Sequence, residues 1–330
     1  MSGYKELGVR ECAERILGLD RPVVVMHVRP DGDTVGSAAA LMAILHKLGK
    51  APLYACSDPI PERLEFLLKD YREAYHYELS NSTIVTVDIP TREQIGELYD
   101  YLPGVSLMID HHDIGTPFAD NYIIPGASSA GEVLMTVLEE LIEMGAVKLT
   151  EDIAYPLYAA ISSDTGCFRY SNATPDTLRR SASLIECGID YPDINHRLFN
   201  SKTPRQIRAE SFVAERVRTE LDGRVSYATV TKRDRQSEGA LLEHFDTAID
   251  VVRSVENAEI SFVIKEMDNG DFKASLRSTG KDVACVAAAF GGGGHIRAAG
   301  CTVKAKNIDD AARIMLQEIE KIHYPKGEQE

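Results

Sequence analysis

RPVVVMHVRPDGDTVGSAAALMAILHKLG, residues 21–49, carries a strand, a turn and a helix in immediate succession. Val23, Val24 and Val25 form a short β-branched run of the kind that suits a strand buried on both faces. From Ser37 the apolar residues recur at helical spacing until Gly49, a residue suited to closing a helix. The turn between them holds more than a turn needs. Pro30 and Gly32 would suffice to bend the chain, yet His27, Asp31 and Asp33 crowd the same few residues.

The alternation continues along the chain. APLYAC (51–56), STIVTVD (82–88) and GVSLMID (104–110) read as strands, with helices predicted over 61–70 and 91–102. Helical patterns follow at 129–145, 150–164 and 174–188. Short apolar strands alternating with helices predict an α/β domain, a parallel sheet with flanking helices, over residues 1–196. Residues 197–220 are polar and helical and are expected to link it to a second domain, although a peripheral helix of the first would read the same. Residues 221–330 carry strands at 223–231, 259–267 and 271–278, the last two meeting at the hairpin signal Asp268-Asn269-Gly270-Asp271. With helical patterns at 239–254, 281–289 and 308–322, this part is predicted to be a smaller α+β domain.

A net charge of −15 argues against a basic track for a long duplex, because such binding rests on many phosphate contacts. A small anion entering a focused site remains compatible, since metals and a few arginines reverse the local potential. The six cysteines are scattered without a CxxC pair, as expected of reduced, mostly buried thiols. MSGYKELGVRECAERI lacks an apolar signal core, and no apolar run has the length of a membrane span. A cytoplasmic protein with no membrane partner is expected.

His27 closes the first strand, read over 21–27, Asp88 closes the third, and Asp110 closes the fourth just before His111 and His112. In an open parallel sheet, ligands bind beyond the carboxyl ends of the strands, so three strands deliver ionisable groups to one rim. Asp164, in the turn SSDTG, is a fourth source. Each residue alone has a plainer role. An aspartate after a strand often caps a turn or helix, and Asp33 would serve a helix starting near Gly36. The sum is different: five carboxylates on one rim repel strongly in low dielectric unless a cation sits among them. Oxygen-rich ligands with some imidazole and no thiolate suit manganese or magnesium. Two ions sharing a carboxylate bridge would activate water and clamp the attacking and leaving oxygens of an in-line phosphoryl displacement.

Taken in order, MHVRPDGD, VTVD, IDHH and SSDTG closely resemble the four motifs of the DHH phosphoesterases, named for the triplet found here as Asp110-His111-His112. The resemblance implies one cation held by His27, Asp31 and Asp88 and a second held by Asp33, Asp88, His111 and Asp164, with Asp88 bridging. It implies His112 beside the scissile phosphate, as hydrogen-bond donor or acid, and Asp110 behind, orienting a histidine ring. The adjacent histidines can exchange roles without changing the motif. Two divalent cations are the implied cofactors, Mn2+ foremost, with Mg2+ or Co2+ as alternatives.

GGGGHIRAAG (291–300) lets backbone amides approach a phosphate or base edge, although a glycine run alone reads as a flexible loop. No Walker or dinucleotide fingerprint fits it. Arg277, in the strand-like SLRS, would either sit solvated at an edge or grip phosphate. Together, SLRSTGKDVACVAAAFGGGGHIRAAG resembles the C-terminal domain that accompanies many DHH enzymes. That resemblance implies a substrate-binding domain facing the metal site across a cleft, with Arg277, Gly293, Gly294 and His295 on the nucleotide. CFRYSNATPDTL (167–178) is similar to the segment after the fourth motif in the oligoribonuclease branch, where Arg169 would contact a phosphate or form a structural ion pair. The layout looks most like that branch, whose members hydrolyse very short RNA to mononucleotides and often 3′-phosphoadenosine 5′-phosphate to AMP. Cleavage of cyclic or linear dinucleotides is an alternative, as is a non-catalytic nucleotide-binding regulator. A homodimer is compatible with the sequence, but no interface is legible in it.

Overall fold

A computed structural model of the chain describes residues 3–237, 239, 242–245 and 247–325. The chain divides into two compact units, Met1–Ser201 and Lys202–Glu330.

Five strands build the sheet of the first unit: β1 (Pro22–Val25), β2 (Leu53–Ala55), β3 (Thr83–Val87), β4 (Val105–Asp110) and β5 (Asn121–Ile123). They lie in the order β2-β1-β3-β4-β5 and every pairing is parallel. The chain leaves β1 for β2 on one side and then returns to β3 on the other. That reversal opens a crevice at the carboxyl ends of β1 and β3, where ligands of doubly wound sheets bind. Val23 and Val25 bury against one face with Ile84 and Ile95, whereas Val24 and Met26 join the larger core under the helices. The Gly32–Lys47 helix is buried along most of its length. A Cβ at Gly36 would lie 2.8 Å from Pro156 O and from Ala160 N, so glycine lets this helix close against the Glu151–Asp164 helix. The two helices that carry Asp33 and Asp164 are thereby brought together.

Several elements differ from expectation. The first long helix starts at Gly32 rather than near Gly36, because Asp31 caps it by accepting from the amides of Asp33 and Thr34. The helices predicted over 61–70 and 91–102 are 3-10 segments, Glu62–Leu67 and Arg92–Tyr101. The latter is broken at Gly96, whose φ of 72° belongs to the left-handed region. Strand β5 was not foreseen; three residues are too few to show a period.

In the second unit a mixed sheet runs β10-β11-β9-β8-β7-β6. Its strands are β6 (Arg218–Glu220), β7 (Val225–Val230), β8 (Ile260–Glu266), β9 (Phe272–Ser278), β10 (Gly293–His295) and β11 (Ala298–Val303). Only β7 and β8 pair in parallel. The helices Val283–Ala288 and Ile308–His323 share one core with Ile260, Phe262 and Leu276. Ala209, Phe212 and Val213 of the Pro204–Ala214 helix join a second core with Phe245 and Val263. Residues 197–220 are therefore not a purely helical connector. Their middle belongs to the packing of the second unit, and Arg218–Glu220 forms an edge strand whose exposed residues gave no alternation to read. The predicted helix over 239–254 is two short segments, Leu242–Phe245 and Ala248–Val252; residues 240, 241 and 246 lie outside the described residues. Among the described residues, no helix is long and apolar enough to cross a membrane.

Candidate metal centre

His27 stands two residues beyond β1, Asp88 directly beyond β3, and Asp110 at the end of β4. His111 and His112 follow at once. Asp31 and Asp33 come from the first turn of the Gly32–Lys47 helix and its cap, and Asp164 ends the helix packed against it. The fold thus gathers these eight residues.

Three sets of ligand atoms converge within 4.8 Å of one another: His27, Asp31 and Asp88; Asp33, His111 and Asp164; and Asp88, His111 and His112. Asp88 Oδ2 lies 3.4 Å from His27 Nε2, while Asp88 Oδ1 lies 3.4 Å from His111 Nε2. His111 Nε2 is 3.7 Å from Asp33 Oδ2 and 4.0 Å from Asp164 Oδ2. Most of these groups are buried, but the side chains of Asp31 and Asp164 are 54% and 30% exposed. Those two mark the solvent-facing side.

The surrounding protein fixes the three rings and several of the carboxylates. His27 Nδ1 donates to Val28 O at 2.8 Å, and His111 Nδ1 to Ala127 O at 3.0 Å. A carbonyl can only accept, so both rings carry a proton on Nδ1 and turn Nε2 toward the carboxylates, the orientation common in metal-ligating histidines. His112 Nδ1 instead meets Asp110 Oδ1 at 2.7 Å. Asp33 accepts from the amides of Ala130 and Gly131 at 2.7 and 3.1 Å and from Ser37 Oγ at 3.0 Å. Those amides open the Ala130–Glu143 helix, whose N-terminus favours negative charge.

Electrostatics and orphaned atoms both fit a cation. Burial opposes charge on the imidazoles, yet Asp31 and Asp88 push His27 up to about 12, and Asp88 with Asp33 pushes His111 up to about 11. Burial, reinforced by Asp88, raises the carboxyl of Asp33 well above its ordinary range. The cluster therefore gathers positive charge from protons, which a divalent cation would displace. Asp88 Oδ1 is buried with no hydrogen-bond partner, and Asp88 itself holds a left-handed φ of 60°. Such a costly backbone and carboxylate are typical of functional sites. A donor set of carboxylate oxygens and imidazole nitrogens suits a hard divalent ion.

Known proteins resemble this chain over nearly its whole length. The DHH family, N-terminal domain, matches residues 21–161, and the DHHA1 domain matches residues 222–321. The chain is 30% identical to the bifunctional oligoribonuclease and PAP phosphatase NrnA of Thermus thermophilus, over 94% of this chain and 93% of that one. The chain belongs to the DHH family. The protein of the same name from Bacillus subtilis is 27% identical over 90% of this DHH chain and 93% of its own. A crystal structure of an exopolyphosphatase-related protein from Bacteroides fragilis shares the fold, with a TM-score of 0.86 at 24% identity over 95% of both chains.

The residues that the sequence marks for substrate are distributed over both units of this DHH protein. Arg169 follows a left-handed turn at Gly166, Cys167 and Phe168; its Nε donates to Gly166 O at 2.6 Å and its guanidinium lies 5.8 Å from the Phe199 ring centre. It forms no salt bridge among the described residues. In the second unit Arg277 pairs across β9 and β11 with Ala298, which pairs in turn with His295 of β10. Gly293 and Gly294 pair with Gly300 and Ala299, so this part of the glycine run is an edge strand rather than a loop. Gly294 has φ 140°, and a Cβ there would come 2.5 Å from Ala298 O. Sequence reasoning passed over Ser37, Glu132 and Asn172. Ser129-Ala-Gly-Glu132 has the spacing of a capping box, a signal that marks the helix start but not where the carboxylate turns.

Proposed function

We propose that this chain is a phosphoesterase using two divalent cations, Mn2+ foremost, to hydrolyse short oligoribonucleotides to mononucleotides and 3′-phosphoadenosine 5′-phosphate to AMP. The observation that carries this reading is Asp88, whose two oxygens face two separate ligand groups in a chain collinear with bifunctional oligoribonuclease and PAP phosphatases. His27, Asp31 and Asp88 would hold one cation, and Asp33, Asp88, His111 and Asp164 the other. Bound there, divalent cations neutralise phosphoryl oxygens and lower the pKa of a coordinated water.

The protein's own groups do the rest. Asp110 holds His112 through Nδ1, keeping the ring in one orientation and favouring its protonated form. His112 is then placed to donate a hydrogen bond or a proton to the phosphate or leaving oxygen. Arg169 supplies a phosphate contact, and in the second unit Arg277 with Gly293, Gly294 and His295 binds the nucleotide portion through charge-assisted and backbone hydrogen bonds. A net charge of −15 supports a short substrate over a long strand.

Purified protein with Mn2+ and 5′-labelled RNA of about two to five residues, the range a short nucleotide-binding groove accommodates, provides the test. Mononucleotide release, together with phosphate release from 3′-phosphoadenosine 5′-phosphate, is expected. Tight binding of either compound without product would turn the reading toward a nucleotide-binding regulator, and preferential cleavage of dinucleotides toward that narrower activity.

A further inference from the structure

The segment Ala127–Glu132 reaches every member of the Asp33, His111 and Asp164 group. Ala127 O accepts from His111, and the amides of Ala130 and Gly131 donate to Asp33. Ser128 O accepts from Asn172 Nδ2 at 2.9 Å; the same amide donates to the Asp164 carbonyl at 3.1 Å and reaches Asp164 Oδ2 at 3.5 Å. None of these bonds involves His27 or Asp31, which are held by Val28 O and by the amides of Asp33 and Thr34.

Glu132 anchors the segment. It is buried, and its Oε2 accepts from Ser128 N at 3.0 Å, from Ser128 Oγ, and from Thr177 Oγ1 at 2.9 Å. Its Oε1 accepts from Arg180 Nη1 at 3.1 Å. The carboxylate turns back over the first turn of its own helix and pins the preceding residues to the Pro175–Ile185 helix. Truncation would leave the buried Ser128 amide without its acceptor, and the strand-to-helix approach would shift to satisfy it.

We propose that Glu132 is a positioning residue for one cation only: through Ser128 and its neighbours it sets the Asp33–His111–Asp164 group and leaves the His27–Asp31 group as it is. This rests on the reading of the centre as a two-cation site. Supporting residues behind metal ligands typically contribute about 10–100-fold to metal affinity.

The test is Mn2+ titration of the full-length wild type, Glu132→Ala and Glu132→Gln, with binding followed calorimetrically and by the spin signal of free Mn2+. In Glu132→Ala one binding class should weaken by about 10–100-fold while the other stays within about twofold, and Glu132→Gln, which keeps an acceptor for Ser128, should recover part of the loss. Should Glu132→Ala fail to fold, Ser128→Ala, which removes only the hydroxyl contact, carries the same one-class comparison at smaller size. Equal weakening of both classes, or of neither, overturns the proposal. A wild type that binds two ions but hydrolyses no nucleotide would instead overturn the assigned activity and leave the role of Glu132 standing.

Discussion

Asp88 faces in two directions at once, with Oδ2 and Oδ1 each 3.4 Å from a different imidazole, His27 on one side and His111 on the other. No other residue of the cluster spans both groups in this way. Its position directly after β3, at the reversal of strand order, is what allows it to do so. Asp88→Asn preserves the shape but removes the charge. Turnover in Mn2+ should fall by more than about 100-fold, and both cation-binding classes should weaken together, because a direct ligand outweighs the supporting groups behind it. His27→Ala, by contrast, should weaken one class. Normal Mn2+-dependent rates in Asp88→Asn would rule out its bridging role.

Removal of metal should act on the first unit alone. Treatment with a chelator is expected to abolish nucleotide hydrolysis, and added Mn2+ to restore it. A ligand that binds only the native state stabilises by about 2.7 kcal/mol at a hundredfold excess over its Kd. Calorimetric unfolding with and without Mn2+ should therefore displace the transition of residues 1–201 upward, with the shift reduced in Asp88→Asn. Activity indifferent to chelation would count against the centre as described.

Much of this centre was legible because His27, Asp88 and Asp110 sit where apolar strands stop. Val23–Val25, STIVTV and GVSLMI are dense enough in β-branched and aliphatic residues to be read as strands, and the rule for parallel sheets then collects His27, Asp88 and Asp110 on one rim. Asp164 joins through packing that sequence periodicity does not encode, the close contact of two helices at Gly36. Elements without an internal pattern were missed: β5 is three residues long, and β6 is Arg-Thr-Glu with both faces open to solvent. Gly293–His295 looked like a loop because glycine carries no side chain to reveal a face, while its pairing with β11 is made by the backbone. Glu132 was hidden for a different reason: its partners Ser128, Thr177 and Arg180 come from two helix starts more than forty residues apart in sequence.

Gly294 offers a test of the second unit. At φ 140° with a Cβ position 2.5 Å from Ala298 O, alanine there must distort the pairing of β10 with β11. Gly294→Ala should raise KM for short RNA while leaving Mn2+ binding unchanged. Arg277→Ala should do the same by about 10–100-fold, the size of lost hydrogen bonds to a charged group. A fall in kcat at constant KM in Arg277→Ala would place it with the chemistry instead of with binding.

The pH dependence of stability should expose the burial of Glu132. Burial alone would raise its carboxyl, but the hydrogen bonds from Ser128, Thr177 and Arg180 outweigh it and hold the group below its ordinary 4.5. An unfolded chain then binds more protons than the native one between those two values, so the stabilisation is complete above the ordinary value and is lost as pH falls through the native one. Urea unfolding of metal-free wild type and Glu132→Gln, followed from about pH 7 to about pH 3, measures this directly. The stability gap between them should be level at the neutral end and shrink below 4.5. A gap that instead widened with acidification would mean that the native protein holds this carboxyl in its protonated form, with Ser128 and Arg180 bonded elsewhere.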